Sequence, residues 1–269
     1  AGSGVGELRL DEMLEIRHIF LTHSHLDHIA FLPLLLDSIF DRIQQPLVVH
    51  GQAATLRALQ EHIFNWIIWP DFARLPHPDK PVLRYEIMAP GDIYTVGGGD
   101  LERTLEMIPV NHAVPGVGYR IECPTGAIAI SGDTTSNDSF WDVLNARPGL
   151  DVLIVEAAFP NESLALSQMA RHYCPSLLAQ DMAKLRHNPL VYITHNKPGS
   201  EDLIFAECHI NYRAPGAYND LLADVVADLE ALGALLADLV TGRYGVPEPG
   251  ADDEMAVLLE RIHRARGER

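Results

Sequence analysis

The residue types that bind metals in proteins are concentrated in the string Thr22-His23-Ser24-His25-Leu26-Asp27-His28. Three imidazoles and one carboxylate lie directly after an apolar run that predicts a buried strand over residues 17–22. His23 and His25 are two residues apart, so they share one side of an extended backbone. Asp27 and His28 then turn over into the next helix and face a neighbouring point. This spacing favours two metal ions close together over a single ion.

Two ions need more ligands than these, and three further metal-competent residues come just after predicted strands. His112 follows strand 104–110, Asp133 follows the apolar run 127–130, and His195 follows strand 190–194. Each of them alone is equally consistent with a structural role, but all three at strand ends predict one shared site. Imidazole and carboxylate ligands without thiolates suit zinc, with manganese or iron as competitors.

The elements that must position these side chains alternate between strand and helix patterns, which is typical of an α/β layered sandwich. Further strands are predicted over 47–51, 83–88, 117–123, 126–131 and 151–156, and helices over 32–43, 53–62, 163–171 and 176–187. The aromatic segment 63–81 is predicted to be a loop or short helix. Its role is left open among four alternatives: a lid, a base-stacking wall, a dimer contact or an ordinary buried loop.

These motifs resemble the metallo-β-lactamase superfamily and, within it, the class II cyclic-nucleotide phosphodiesterases. The strings that carry the resemblance, which covers roughly residues 1–209, are Thr22–Ile29, Asn111–Pro115, Ser131–Thr134 and Thr194–Gly199. It implies an αββα sandwich. The superfamily usually places strands before a Gly-rich turn such as residues 1–4, so we expect either that N-terminal strands are missing from this sequence or that the sandwich is incomplete.

The resemblance also implies a role for each candidate ligand. One metal would be held by His23, His25 and His112, the other by Asp27, His28 and His195, and Asp133 would bridge both. Redox-active di-iron members of the superfamily carry a carboxylate where this chain has His25, which favours hydrolysis here.

The expected reaction is attack on phosphorus by a metal-bridging hydroxide, because a single zinc ion already brings the pKa of its bound water to about 7. Asp27, His195 and Lys197 are the expected catalytic residues. Lys197 is a candidate phosphate contact or leaving-group stabiliser, with a solvated loop lysine as the alternative. A 3′,5′-cyclic nucleotide is the expected substrate.

The other histidines, among them His18 and His50, lack a partner pattern and are expected to be structural or solvated. The segment 171–174 joins two predicted helices, and an approach to the site is left open for it.

The composition and net charge limit the kinds of molecule that the protein is expected to bind. The chain has 269 residues and a formal net charge of −17, which disfavours binding to a nucleic-acid polymer and leaves a small phosphodiester as the expected substrate. The three cysteines form no close pair, which fits a reducing cytoplasm. No signal peptide and no membrane-spanning run are evident in the sequence.

Residues 210–269 differ from the catalytic domain predicted over 1–209. Leucines recur on one helical face, and a second helix is predicted over about 252–266, so this tail predicts a helical hairpin for packing or for homodimer formation.

Three alternative functions stay open: an RNA 3′-processing endonuclease, a lactone or thioester hydrolase, and a non-catalytic metal-bearing module.

Overall fold

Three parallel strands form the first sheet of the computed structural model, which describes residues 8–211. Their spatial order is β1 (His18–Phe20), β2 (Leu47–Gly51) and β5 (Leu83–Ile87). The helices of this half are α1 (Leu10–Met13), α2 (Leu26–Ile29), α3 (Phe31–Ile39) and α4 (Ala53–Ala58), with a π-helical turn at Leu59–Ile63. Leu32, Leu36 and Ile39 of α3 pack with Leu47 and Leu83 of the sheet in one fully buried core.

The second sheet has six strands, β6 (Ile93–Val96), β7 (Arg103–Pro109), β8 (Val117–Cys123), β9 (Gly126–Ile130), β10 (Val152–Glu156) and β11 (Leu190–Thr194). Their order in the sheet is β11-β10-β9-β8-β7-β6. The helices of this half are α5 (Ser139–Ala146), α6 (Leu164–Ala170), α7 (Pro175–Met182) and α8 (Glu201–Asn211). A second core contains Trp141 of α5, Leu178 of α7 and Ile204 of α8 with Leu153 and Val155 of β10.

The two sheets contact each other through a smaller apolar cluster. Phe20 of β1 packs against Met107 and Tyr119 of the second sheet. The Tyr119 hydroxyl donates a hydrogen bond of 2.8 Å to the Leu21 carbonyl at the end of β1. The arrangement is the α/β sandwich that the sequence predicts, with helices packed on both sheets.

The sequence patterns predicted the bounds of the strands better than those of the helices. The predicted strands 47–51, 117–123 and 190–194 have the observed bounds, whereas β6, α5 and α8 were not predicted. The segment 63–81 includes a two-stranded ribbon of β3 (Pro76–His77) and β4 (Lys80–Pro81), with Phe64 and Phe72 buried and Trp66 exposed. The Gly-rich turn 1–4 and the predicted tail beyond α8 lie outside the described residues. Within the described part, no helix combines the length and the apolar character needed to cross a bilayer.

Candidate metal centre

The direction of the strands in the second sheet explains why distant residues meet. Strands β7, β9, β10 and β11 run in the same direction, since β8 between β7 and β9 is antiparallel to both. Their carboxyl ends therefore lie at one edge of the sheet. His112, Asp133 and His195 follow three of these strand ends.

A close approach between the sheets brings the segment 22–28 to the same edge. The Val117 amide donates a hydrogen bond of 3.0 Å to the Thr22 carbonyl. Gly132 has φ +60°, and a Cβ there would lie 2.8 Å from the Val117 carbonyl oxygen and 3.0 Å from Thr22 Cβ. Glycine is thus required where the loop after β9 crosses the end of β1.

The local backbone divides the histidine-rich string into two parts, as its spacing predicts. His25 has an extended conformation with φ −63° and ψ 148°, and α2 begins at the next residue. His23 and His25 precede the helix, whereas Asp27 and His28 lie on its first turn.

A single carboxylate oxygen lies at the centre of the site. Asp133 is buried, and its Oδ2 atom faces the Nε2 atoms of four imidazoles. The Oδ2–Nε2 distances are 3.2 Å for His28, 3.3 Å for His195, 3.6 Å for His23 and 3.9 Å for His112.

Two groups of donor atoms share this carboxylate, each with all its atoms within 4.8 Å of one another. The first group is His23, His25, His112 and Asp133, and the second is Asp27, His28, Asp133 and His195. The first group is mostly buried, whereas Asp27 in the second is 61% exposed, so solvent reaches the second group more easily.

The chemistry of the donor atoms fits metal ions. The Nε2 atoms of His23 and His28 are buried and have no hydrogen-bond partner among the described residues. His112 Nδ1 lies 3.0 Å from the Arg171 carbonyl oxygen, which can only accept, so Nδ1 carries the proton and Nε2 presents its lone pair to the site. His25 Nδ1 lies 3.1 Å from that Nε2, an approach that a shared cation would stabilise.

The protonation states favour ligation as well. Burial lowers the pKa of His23 to about 3 and that of His195 to about 4, so both rings are neutral near pH 7. Burial would raise the pKa of Asp133, but its contact with His28 outweighs burial, and the pKa lies below its usual range. Neutral imidazoles around a carboxylate are the states that bind a divalent cation.

Two side chains beside the site come from strained backbone. His195 and Arg171 have φ +64° and +56°, a left-handed conformation that non-glycine residues rarely adopt. Such strain is typical of functional positions, where the surrounding structure holds it in place.

Sequence reasoning missed Glu156, the last residue of β10. Glu156 Oε1 accepts hydrogen bonds from His172 Nδ1 at 2.7 Å and from the Thr134 amide at 2.8 Å, and Oε2 accepts from the Ala158 and Tyr173 amides. Full burial raises the pKa of Glu156, while its backbone hydrogen bonds act in the opposite direction. The sequence did contain a signal for Glu156 as a site residue, because it is an acidic residue at the end of an apolar strand, as Asp133 is just after one.

Segment 171–174, for which the sequence left an approach to the site open, does lie beside it. The His172 ring stacks on His195 at 5.2 Å and 14°, and it meets His112 edge-on at 4.9 Å. His172 is thus a further imidazole at the centre, held by Glu156 rather than by Asp133.

Lys197 is half-buried in the segment that follows β11. Its amide donates to the Ala158 carbonyl at 3.0 Å, and its ammonium lies 5.8 Å from the centroid of the Phe159 ring. Burial lowers the pKa of His172 and of His195, and the positive charge of Lys197 acts in the same direction. The structure therefore brings the seven proposed metal ligands together, and Lys197 follows one of them, His195, by two residues.

Comparisons with known proteins show which family the chain resembles. A family model described as beta-lactamase superfamily domain matches residues 5–195. A probable 3′,5′-cyclic-nucleotide phosphodiesterase of Yersinia pestis is 28% identical over 210 residues, which is 68% of this chain and 57% of the relative. A 3′,5′-cyclic-nucleotide phosphodiesterase of Aliivibrio fischeri is 28% identical over 213 residues, which is 73% of this chain and 60% of the relative. The chain thus spans less than two thirds of either relative.

Solved structures have the same fold. Unliganded yeast PDE1 aligns with a TM-score of 0.63 and 22% identity, over 73% of this chain and 63% of that one. The metallo-beta-lactamase fold protein YhfI of Bacillus subtilis aligns with a TM-score of 0.60 and 19% identity, over 80% of this chain and 79% of that one.

Proposed function

The chain belongs to the beta-lactamase superfamily, and from that premise we propose that it is a metal-dependent phosphodiesterase that hydrolyses 3′,5′-cyclic nucleotides. The observation that carries the proposal is the convergence of four imidazole nitrogens on Asp133 Oδ2. The choice of substrate is supported by two relatives named as cyclic-nucleotide phosphodiesterases.

The two donor groups would hold two divalent ions, with Asp133 as the shared ligand. His23, His25 and His112 complete one site, and Asp27, His28 and His195 complete the other. Zinc suits these donors, with manganese or iron as the competitors. When bound, the ions would lower the pKa of a water molecule and offset the charge of the phosphate.

His172 is the residue best placed to move a proton. Glu156 fixes the ring through Nδ1 and leaves Nε2 for another contact, while stacking on His195 keeps the ring beside the second donor group. Burial lowers the pKa of His172, so the ring must first take up a proton from solvent at Nε2; we assign to that protonated form the donation of the proton to the ribose oxygen that leaves phosphorus. That oxygen is a poor leaving group without a proton, so general acid catalysis is expected to matter here.

Lys197 would contact a phosphate oxygen of the substrate. Its backbone is held by Ala158, and Asn196 Nδ2 donates to the Ala157 carbonyl, so the segment after β11 is fixed beside the loop after β10. With Asp27 and His195, Lys197 forms the part of the site that faces solvent and substrate.

The proposed partner is a small phosphodiester rather than a polymer. A net charge of −17 opposes binding to a nucleic-acid backbone, whereas a small anion needs only local positive charge. We further propose that residues 210–269 serve packing or homodimer formation.

Elemental analysis combined with substrate assays tests the proposal. We expect close to two metal ions per chain, hydrolysis of cyclic AMP or cyclic GMP, and loss of activity on chelation that the metal restores. Lys197→Ala is expected to weaken catalysis of these substrates without changing the metal content. Hydrolysis of precursor tRNA or of a lactone, with no turnover of cyclic nucleotides, would contradict the proposal; fewer than two metals per chain and no turnover of any substrate would favour a non-catalytic module.

A further inference from the structure

Three consecutive large apolar side chains, Trp66, Ile67 and Ile68, extend into solvent just after the π-helical turn, and we call them the apolar tip. Their exposed fractions are 57%, 86% and 62%. Single exposed apolar residues are ordinary on a protein surface, but a contiguous group of large ones is typical of an interaction site. The exposure excludes an ordinary buried loop, one of the four roles that the sequence left open for this segment.

Hydrogen bonds at the base of the apolar tip fix its conformation. Asn65 Oδ1 accepts from the amides of Ile67 at 3.0 Å and of Ile68 at 2.8 Å. Asn65 Nδ2 donates to the Glu61 carbonyl at 3.0 Å. Trp66 has φ +66°, a left-handed conformation that is unfavourable for a bulky side chain. The fold thus holds these side chains outward in a defined and strained arrangement, which is typical of a surface that binds a partner.

The apolar tip lies at the edge of the first sheet opposite to the metal centre. The histidine-rich string follows the carboxyl end of β1, and β2 and β5 run parallel to β1. The segment that continues from the tip meets the amino end of β5, where the Leu83 amide donates to the Phe72 carbonyl at 3.2 Å. Phe72 also contacts Phe64, on the other side of the tip, and Phe40 at the far end of α3. This position excludes a lid and a base-stacking wall for the metal centre, and a dimer contact is left.

Charge distinguishes the surroundings of the tip from the rest of the chain. Residues 57–81 contain three bases and three acids, whereas the whole chain has a formal net charge of −17. The bases are Arg57, Arg74 and Lys80, and the acids are Glu61, Asp71 and Asp79. Two copies of a strongly acidic chain repel each other, and this repulsion is smallest where neutral surfaces meet.

We propose that the apolar tip is a contact surface between two copies of this chain related by a two-fold axis. In such a contact the same patch on each copy meets itself, and an apolar patch is complementary to itself. Exposed Asp79 and Lys80 beside the tip provide opposite charges that a two-fold axis pairs between the copies. Trp66 is the expected anchor, because tryptophan is enriched among the residues that dominate interface energies.

A lipid surface is the main alternative partner for such a tip, and charge disfavours it. An anionic membrane repels a chain with a net charge of −17. Residues 57–81 also lack the excess of basic residues with which peripheral proteins hold an apolar surface on such a membrane.

Tryptophan quenching in the full metal-loaded chain tests the contact at the tip itself. Of the three tryptophans in the chain, Trp66 is exposed, Trp69 is half-buried and Trp141 is buried. We expect acrylamide to quench the fluorescence less as the protein concentration rises through the monomer–dimer transition that light scattering detects. Residues 210–269 contain no tryptophan, so a dimer formed through that tail alone would leave the quenching unchanged.

Ile67→Lys places a charge in the contact. It is expected to raise the dissociation constant of the dimer about thirtyfold or more and to restore quenching at high protein concentration. Ile68→Ser, an uncharged change in the same tip, is expected to act in the same direction, and urea unfolding of the monomers checks that both variants fold. The matched control is Met169→Lys, which places the same charge at a similarly exposed apolar position on α6 and should change neither measurement.

The outcome of these measurements does not depend on the proposed function, because the tip lies away from the metal centre and no turnover is measured. A chain that stays monomeric, a dimer whose formation leaves quenching unchanged, or equal weakening by Ile67→Lys and Met169→Lys would overturn the proposal. Binding of a monomeric chain to phosphatidylcholine vesicles, lost in Ile67→Lys, would overturn it in favour of a lipid surface.

Discussion

Two clusters of buried and half-buried histidines lie in the described part of the molecule, and they differ in what they can do. One is the metal centre around Asp133. The other, the interior pair, is His18 of β1 and His50 of β2, which lie between the two sheets. His18 Nδ1 and His50 Nε2 are 2.9 Å apart, and Phe20 stacks on His50 at 4.3 Å.

Burial and pKa do not distinguish the two clusters. Burial lowers the pKa of His18 and brings that of His50 to about 4, close to the value of His195 at the centre. His50 Nδ1 is also buried without a hydrogen-bond partner in the described residues, as His23 Nε2 is. An orphaned imidazole nitrogen is therefore not sufficient to mark a metal site.

The difference is a buried carboxylate that several imidazoles share. In the interior pair the two rings bond to each other, and the nearest acid, Glu86, is 3.8 Å from His50 Nδ1 and half exposed. Around Asp133, four imidazoles meet one oxygen, and within residues 8–211 no third group of three metal-binding donors is found. Convergence on a shared anion, rather than the number of histidines, separates a metal centre from a packed pair.

Removal of the Asp133 carboxylate is expected to have the largest effect on activity and metal content. Asp133→Ala should reduce kcat/KM about a thousandfold or more and lower the metal content, because metal stabilisation of the transition state is worth several kcal/mol. Metal analysis and kinetics on the same preparation measure both. The control is Asp138→Ala, an exposed acid that pairs with Lys184. Full activity in Asp133→Ala would remove the shared-ligand assignment.

The convergence of the proposed metal ligands could be predicted from the sequence because the ends of strands can be recognised from apolar runs. His112, Asp133 and His195 each follow an apolar run, and parallel strands bring such ends to one edge. The interior pair was not predicted as a pair, because it depends on which strands become neighbours. His18 is in register with Val48, so His50 is two residues further along the neighbouring strand, a register that no local pattern specifies.

The position of His172, its contact with Glu156 and strand β6 were harder to predict, because they too depend on contacts between distant parts of the chain. The segment that carries His172 has no periodic pattern, and its position depends on the Glu156 hydrogen bonds that form after folding. Strand β6 alternates half-buried and exposed residues at an edge of the sheet, so its apolar signal is weak.

His172 tests whether a histidine at the centre can act without binding metal. His172→Asn is expected to lower kcat for cyclic nucleotides about a hundredfold, with unchanged metal content, since it removes the proton donor. Bis(p-nitrophenyl) phosphate, whose leaving group needs no proton, should lose much less. Equal losses on both substrates would indicate a purely structural role. His62→Asn, at an exposed position, is the control.

The smallest expected effect on chemistry belongs to the interior pair. His50→Leu should leave metal content and turnover unchanged and lower the free energy of unfolding by about 1–3 kcal/mol, because His18 Nδ1 loses its partner. In the double variant His18→Phe with His50→Leu, both polar partners are replaced by apolar groups, so part of that loss should be recovered. Urea unfolding measures the stability of each variant. If His50→Leu instead releases metal, the interior pair is coupled to the centre, and a shared buried carboxylate is not the only feature that separates the two clusters.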